Sequence, residues 1–233
     1  MDDLHDTTEE FGSPVFARLR SGAGESWHAY AEHEFVRRLG DGTLPRQAFL
    51  HYLRQDYLFL IHFARAWSLL AFKSTRIDEL RICAAAVHAL IEEEMRLHIE
   101  ICAREEIDEA ALAATIEAPQ NIAYTRYVID RGLAGDGLDL LVALSPCIFG
   151  YGEIGTRLAR LHGTGGPYGE WIATYSGEEY QGTCRSVGAL LEALTLRLVG
   201  PELQASPRWA DLQANFTTAC RLESDFWQMG LNP

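Results

Sequence analysis

Residues 144–155 (LSPCIFGYGEIG) contain the side chain best suited to act as a nucleophile, Cys147. The segment has a helical pattern, yet it includes one proline and three glycines, and each glycine weakens a helix by about 1 kcal/mol relative to alanine. Cys147 and Tyr151 are four residues apart, so they share one helix face. A thiol and a phenol in one pocket can act as nucleophile and hydroxyl partner. An inert cysteine at a close helix crossing explains the same residues, and this segment alone leaves both interpretations open.

The first of two carboxylates next to aromatic residues is Asp56, which precedes a long apolar run. Asp56 and Phe59 are three residues apart and can face the same space. A buried carboxylate is costly unless it is paired or hydrogen-bonded, so its burial would indicate a role. The alternative is that Asp56 lies on a polar stripe with Arg46 or His51.

The second carboxylate is Glu223, which lies near the end of the chain, three residues before Phe226. The two side chains share a helix face. A solvated glutamate beside a core phenylalanine fits this segment equally well.

A third group of acidic residues invites a metal interpretation. His88 and Glu92, and Glu94 and His98, are each four residues apart, a spacing that suits shared coordination. A di-iron bundle needs carboxylate and histidine ligands from several helices, and no histidine follows His162. We therefore predict no metal site and expect the glutamates to form an exposed stripe.

Charge and composition exclude several classes of protein. The chain has 233 residues and a formal net charge of −13, with one lysine, Lys73. Such a chain repels nucleic acid backbones, so we expect no nucleic acid partner. No stretch of 18 residues lacks charge, so we expect no membrane span. Five cysteines without a CxxC pair, and no apolar leader, predict reduced thiols in the cytoplasm.

The elements that must position these residues are all predicted to be helices. Residues 1–12 are predicted to be a flexible N-terminus, and residues 13–233 a single all-α domain, a helical bundle. The run from Tyr57 to Phe72 is apolar almost all round, which predicts a helix in the bundle centre, at a subunit interface, or both. Helices are expected at residues 14–20, 25–39, 45–73, 78–104, 108–116, 119–133, 138–162, 168–175, 178–199 and 207–229.

Together, four segments resemble the TenA/THI-4 family, which includes thiaminase II and aminopyrimidine aminohydrolase. They are residues 49–60 (FLHYLRQDYLFL), 145–155 (SPCIFGYGEIG), 171–175 (WIATY) and 222–227 (LESDFW). The segments have the family's order and spacing, and the resemblance extends from about residue 14 to residue 230. It implies an all-α fold similar to that of haem oxygenase, without haem or another cofactor, usually assembled as a homotetramer.

By position, the resemblance implies that Cys147 is the nucleophile and Glu223 the acid and base. Asp56 matches the aspartate that binds the amino group and ring nitrogen of a pyrimidine. The remaining matches line the pocket: Tyr124, Tyr151, Tyr175 and Phe226. Phe59 departs from the family pattern, because a tyrosine often occupies that position.

The expected activity is hydrolysis of 4-amino-5-aminomethyl-2-methylpyrimidine, or of thiamin, to hydroxymethylpyrimidine in thiamin salvage. The sequence does not indicate which substrate is preferred, and no lysine or arginine within the motif explains how the thiol is activated. Two alternatives remain open: a non-catalytic pyrimidine-binding or regulatory protein, and a haem oxygenase-like metal oxidase.

Overall fold

The computed structural model describes residues 11–233, and within that range every regular element is a helix. This confirms the predicted all-α class. A π-helical segment, Leu90–Glu94, separates α5 from α6, and a 3₁₀ turn, Leu203–Ala205, precedes the last helix. The α-helices are α1 (Pro14–Ala23), α2 (Glu25–Ala31), α3 (Glu34–Gly40), α4 (Arg46–Lys73), α5 (Ile77–Ala89), α6 (Met95–Ala103), α7 (Glu109–Ala113), α8 (Pro119–Ala134), α9 (Gly137–His162), α10 (Gly169–Ser176), α11 (Glu178–Leu198) and α12 (Arg208–Leu231).

Several helices begin at residues whose side chains satisfy the free N–H groups of the first turn. The hydroxyl of Ser13 accepts from the N–H of Phe16 at 3.1 Å at the start of α1. Asp136 and Asp139 form a reciprocal capping box at the start of α9. Pro119 occupies the first position of α8, where its missing N–H costs nothing.

Helix α9 is the centre of the bundle and packs against α4, α8, α10, α11 and α12. It is long and apolar enough to cross a membrane by length and composition, with a mean hydropathy of 1.3 in its most apolar 18-residue window. Inside the protein, 83% of that window is buried. Its apolar surface is therefore covered by neighbouring helices of the same chain.

The apolar run in α4 is also largely covered within one chain. Phe59, Phe63 and Trp67 are buried, and α4 contacts α5, α8, α9 and α12. Phe72, at the end of the run, is 87% exposed. The helix was predicted to lie in the bundle centre, at a subunit interface, or both. The structure of a single chain shows it inside the bundle.

Two of the predicted helices are interrupted. Residues 25–39 form two helices, and the ring of His33 accepts from the N–H of Phe35 at the start of the second. Residues 78–104 form α5 and α6 with the π-helical segment between them. Neither interruption contains glycine or proline, so the sequence has no breaker at either point.

The N-terminal boundary lies earlier than expected. Residues 1–10 of the predicted flexible segment lie outside the described residues. Phe11 is buried, and its ring stacks on that of Phe149 with 5.4 Å between centroids. Because this aromatic contact joins it to the core, Phe11 belongs to the domain and not to a flexible terminus.

The glycines of α9 allow close approach by other elements. A Cβ on Gly150 would lie 2.2 Å from the ring of Tyr30, and one on Gly155 would lie 2.6 Å from the backbone carbon of Tyr175. Real Cβ atoms do not come this close to other atoms. These glycines therefore allow α2 and α10 to pack directly against the helix that carries Cys147.

Candidate active site

All eight residues predicted from the sequence lie in the interior, and the most exposed, Cys147, is only 8% exposed. They come from α9 and from four helices that pack against it. These residues are Asp56 and Phe59 of α4, Tyr124 of α8, Cys147 and Tyr151 of α9, Tyr175 of α10, and Glu223 and Phe226 of α12. The solvated alternatives for Asp56 and Glu223 are therefore wrong, because both carboxyl groups are buried.

Glu223 lies between a thiol and a phenol. The hydroxyl of Tyr124 donates to Glu223 Oε1 at 2.7 Å, and the side chain of Cys147 lies near enough to affect the pKa of Glu223. Burial raises the pKa of Glu223 to about 8, and the nearby charge of Asp56 acts in the same direction. A carboxyl group with that pKa can both accept and donate a proton near neutral pH.

The thiol of Cys147 is held in its protonated form. Burial raises its pKa well above the usual range, and the carboxyl groups of Glu223, Glu94 and Asp56 raise it further. A free thiolate is therefore disfavoured. A reaction at this sulfur requires a base nearby, and Glu223 is the carboxyl group that raises the pKa of Cys147 most.

Asp56 is bound by two donors on one oxygen. Tyr52 donates its hydroxyl proton to Oδ2 at 3.0 Å, and His98 Nε2 lies 2.6 Å from the same oxygen. Tyr52 in turn accepts from the indole N–H of Trp171 at 3.2 Å. The predicted alternative partners, Arg46 and His51, do not form these contacts. Arg46 instead pairs with Glu105 at the surface.

The glutamate stripe is only partly exposed, which corrects the prediction for Glu94. The π-helical segment ends at Glu94, whose carboxylate accepts a hydrogen bond from Tyr175, while Glu92 remains exposed. Burial and the charge of Asp56 raise the pKa of Glu94 to about 7. His98, one turn further, has no exposed surface. A π-helical insertion shifts the side chains that follow it around the helix axis, and such insertions are frequent at functional sites.

Aromatic rings enclose the remaining sides. The ring of Phe59 lies 5.2 Å from that of Tyr124 and 5.4 Å from that of Phe226, measured between centroids. The rings of Tyr151 and Tyr175 meet edge to face at 4.9 Å. Flat walls of this kind suit a planar aromatic ligand and exclude water.

Pro146 and Gly150 shape the helix turn that carries Cys147. The hydroxyl of Tyr30 donates to the backbone carbonyl of Pro146 at 3.2 Å, and its ring occupies the space left by Gly150. Tyr30 lies 116 residues before Pro146. Gly150 therefore lies at a close helix crossing, which the interpretation of Cys147 as an inert cysteine also assumes. The burial of Glu223 beside Cys147 is not explained by the crossing.

A cavity of about 450 Å³ lies next to this cluster, between the π-helical segment, α10 and α11. Its wall includes Glu94, Tyr180 and Ile148, the neighbour of Cys147. None of the eight predicted residues lines this cavity, which meets the cluster at Glu94.

Within residues 11–233, no three histidine, cysteine, aspartate or glutamate side chains are grouped so that they could hold a metal ion. Glu94 and His98, whose spacing suits shared coordination of a metal, are hydrogen-bonded to other protein groups. All five cysteines are free and buried.

Four further residues shape this cluster: Glu94 and His98, which the sequence indicated only as metal-ligand candidates, and Tyr30 and Tyr52, which it did not single out. Tyr52 was detectable, because it lies one helical turn before Asp56. Tyr30, His98 and Glu94 reach the cluster through contacts between distant segments or through the π-helical insertion. No local pattern marks such contacts.

Comparisons with known proteins show the family. A sequence model of the TENA/THI-4/PQQC family matches residues 22–232. A protein of Haemophilus influenzae with the description "uncharacterized protein" is 38% identical over 94% of this chain and 99% of its own length. The aminopyrimidine aminohydrolase of Halalkalibacterium halodurans is 33% identical over 93% of this chain and 95% of its own length.

Solved structures support the same fold. A TenA family transcription regulator from Silicibacter sp. superposes with a TM-score of 0.93 and 50% identity, covering 97% of this chain and all of the other. A domain of unknown function with a haem oxygenase-like fold, from Shewanella denitrificans, gives a TM-score of 0.66 at 14% identity, over 91% of both chains. The second likeness concerns the fold alone, and it agrees with the predicted haem oxygenase-like bundle.

Proposed function

Because this chain belongs to the TENA/THI-4/PQQC family, we propose that it is an aminopyrimidine aminohydrolase of the thiaminase II type. It hydrolyses 4-amino-5-aminomethyl-2-methylpyrimidine, and the related bond of thiamin, to hydroxymethylpyrimidine in thiamin salvage. Relatives that carry the name aminopyrimidine aminohydrolase span nearly the whole of this chain. The observation that carries the proposal is the hydrogen bond between Tyr124 and Glu223, buried together with Cys147 and Asp56.

The aromatic walls hold the pyrimidine ring in place. Phe59, Tyr124 and Phe226 on one side, and Tyr151 and Tyr175 on the other, provide flat surfaces for stacking. Oxygen Oδ1 of Asp56 accepts hydrogen bonds from the exocyclic amino group and from a protonated ring nitrogen. The carboxylate stabilises the protonated ring nitrogen, and that positive charge withdraws electrons from the ring and makes carbon C6 electrophilic.

The first chemical step is addition of Cys147 Sγ to ring carbon C6. The thiol proton passes to Glu223 as the C–S bond forms, so no free thiolate accumulates. In this proposal, transfer of the thiol proton to Glu223 is what activates the thiol, which the sequence alone did not explain. The electrons that enter the ring then expel the group on the 5-methylene. That group leaves as ammonia from the aminopyrimidine, taking up a proton, or as neutral thiazole from thiamin.

The second half of the reaction restores the aromatic ring. Water adds to the exocyclic methylene carbon and loses a proton to a carboxylate. The C–S bond breaks, and the sulfur takes back a proton from Glu223. The net reaction from the aminomethyl substrate consumes one water and releases ammonia and hydroxymethylpyrimidine, so neither an oxidant nor a cofactor is required.

Replacement of the nucleophile tests the proposal. Cys147→Ala is expected to lower turnover on the order of a thousandfold or more, because residues of a covalent catalytic unit are rarely replaceable, while pyrimidine affinity and the melting temperature change little. Cys83→Ala, which removes a buried thiol of α5, is the matched control and is expected to retain activity. Ammonia release measures turnover. Near-normal turnover of Cys147→Ala contradicts the proposal.

A second candidate is a regulatory role, because a structural relative at 50% identity carries the description of a transcription regulator. A net charge of −13 opposes direct contact with DNA, so such a role requires a protein partner. The two candidates differ in one measurement. A purified protein that binds hydroxymethylpyrimidine but releases no ammonia from the aminomethyl substrate supports the regulatory role.

A further inference from the structure

His98 is a fully buried histidine that the proposed reaction does not use. It follows the π-helical segment by four residues and lies against α4, 42 residues away in sequence from its partner Asp56. A buried ionisable side chain is costly unless its hydrogen bonds are made. The partners of its two ring nitrogens therefore indicate what it does.

The two partners fix the protons on the imidazole. Nδ1 lies 2.7 Å from the backbone carbonyl oxygen of Glu94. A carbonyl oxygen only accepts, so Nδ1 carries a proton. Nε2 lies 2.6 Å from Asp56 Oδ2, a distance typical of a charge-assisted hydrogen bond. If Asp56 is a carboxylate, Nε2 also carries a proton and the ring is an imidazolium.

The hydrogen bonds to Asp56 are distributed unequally. His98 and Tyr52 both donate to Oδ2, and no side chain or backbone group of residues 11–233 donates to Oδ1. Two donors occupy the two lone pairs of Oδ2 and fix the plane of the carboxylate. Oxygen Oδ1 therefore remains available for a ligand.

The charges around His98 favour the doubly protonated ring. Burial lowers the pKa of His98, but the hydrogen bond and charge of Asp56, together with Glu94, outweigh burial and raise the pKa overall. The titratable groups that face it are Asp56 and Tyr52 on α4 and Glu94 at the end of the π-helical segment.

We propose that His98 is a positioning residue that, as an imidazolium, holds Asp56 as a carboxylate with Oδ1 directed to the amino and ring N–H groups of an aminopyrimidine. This inference rests on the proposed function, because it names how that site selects a pyrimidine with adjacent donors. The residue does not touch the substrate. It sets the charge and the orientation of the group that does.

The protonation state of His98 can be measured without substrate. In ¹⁵N-labelled protein at pH 7, both ring nitrogens of His98 are expected to show chemical shifts of protonated nitrogens. His98→Gln identifies the signals, because it removes them and leaves those of the other histidines. A ring protonated only at Nδ1 overturns the proposal.

Binding of hydroxymethylpyrimidine to variants tests the positioning role. His98→Ala is expected to weaken binding about 10- to 100-fold, the usual effect of losing a hydrogen bond to a charged group. His98→Gln keeps an N–H donor near Oδ2 and is expected to recover part of that loss. Leu19→Ala, a buried residue of α1, is the control for general destabilisation and is expected to bind normally.

The pH dependence separates positioning from mere support of the fold. In the parent protein, binding is expected to weaken as pH rises through the raised pKa of His98, because the imidazolium loses its charge. His98→Gln is expected to lack that change, while effects of Glu94 and Glu223 persist in both proteins. If the parent binds the pyrimidine and His98→Gln shows the same affinity and pH profile, this inference is wrong. If the parent does not bind the pyrimidine at all, the proposed function fails first.

Discussion

Glu223 lies near the thiol and accepts a hydrogen bond from a phenol, so its replacement is the most informative single change after that of the nucleophile. Glu223→Gln keeps the size and the acceptor for Tyr124 but cannot take up the thiol proton. We expect turnover to fall by about 10²- to 10⁴-fold, the usual contribution of proton transfer. In the parent, turnover should rise with pH towards the pKa of about 8. An unchanged pH–rate profile in the variant contradicts this assignment.

Glu223 also affects the stability of the fold. Its contribution to stability falls as pH rises, whereas turnover is expected to rise with pH. Its pKa is raised in the folded protein to about 8, from 4.5, so the native state binds more protons than the unfolded state between these values. The stabilisation of the native state is therefore present below about pH 4.5 and is lost as pH rises to about 8. We expect Glu223→Gln to lose less stability than the parent between pH 5 and pH 8. Thermal melts of both proteins at several pH values measure the difference, and parallel curves contradict the prediction.

Phe59 touches both Tyr124 and Phe226 and is buried, so the structure makes it part of the aromatic cluster but does not show that it binds substrate. Phe59→Ala is expected to weaken pyrimidine binding by about 1–3 kcal/mol, the contribution of one stacked ring. Phe59→Tyr is expected to be tolerated, because the pocket already accepts phenols.

Pyrimidine affinity shows whether Phe59 binds substrate or only packs in the core. The melting temperature does not, because Phe59→Ala opens a cavity and lowers it in either case. Calorimetric titration with hydroxymethylpyrimidine, beside thermal melts, separates the two effects. Phe16→Ala, which removes a fully buried ring of α1, is the control for cavity formation. Unchanged affinity in a destabilised Phe59→Ala protein removes Phe59 from the site.

Among single residues, those within one helical turn of a marked segment were predictable. Asp56 and Phe59, or Glu223 and Phe226, share a helix face at a spacing visible in the sequence. The contact of His98 with Asp56 was not predictable, because it joins residues on separate helices. The spacing of Glu94 and His98 was visible, but the metal interpretation did not anticipate a hydrogen-bonded pair.

At the level of helices, the crossing of α9 and α10 at Gly155 controls where Tyr175 lies. In Gly155→Ala, the new Cβ would meet the backbone of Tyr175 and Ser176, which cannot rotate away as a side chain can. We expect a loss of stability of about 1–3 kcal/mol, typical of overpacking, and reduced pyrimidine affinity because α10 moves. Gly165→Ala is the matched control, since a Cβ there meets nothing within 4 Å. Equal affinities and melting temperatures of the two variants contradict the prediction.

Helix ends were predictable where capping residues or glycines mark them. Pro119 and Asp136 mark the starts of α8 and α9, and the observed ends lie within a residue or two of those expected. The break at Glu32 and the π-helical segment were not predictable. Both consist of residues with ordinary helix propensity, so packing against other helices decides the local geometry.

For the whole molecule, the homotetramer implied by the family resemblance stays a prediction. The apolar run of α4 is weaker support for a subunit interface than the sequence suggested, because most of the run is buried within one chain. Phe72, at its end, remains exposed. Sedimentation velocity at micromolar concentration is expected to give the mass of four chains. Since each chain carries a net charge of −13, the assembly should tighten as salt rises from low to physiological concentration. A monomer under both conditions contradicts the prediction.

The position of Glu223 in α12 has a consequence for the order in which the protein matures. Residues 11–160 contain Cys147, Asp56 and Tyr124, but the proposed base, Glu223, comes from a helix that starts at Arg208. The hydrogen bond between Tyr124 and Glu223 closes a loop of 99 residues. Such long-range closure occurs late in folding, because its entropy must be overcome first. The approach of Glu223 to Cys147 that the proposed mechanism needs is therefore expected only once α12 has docked on the other helices.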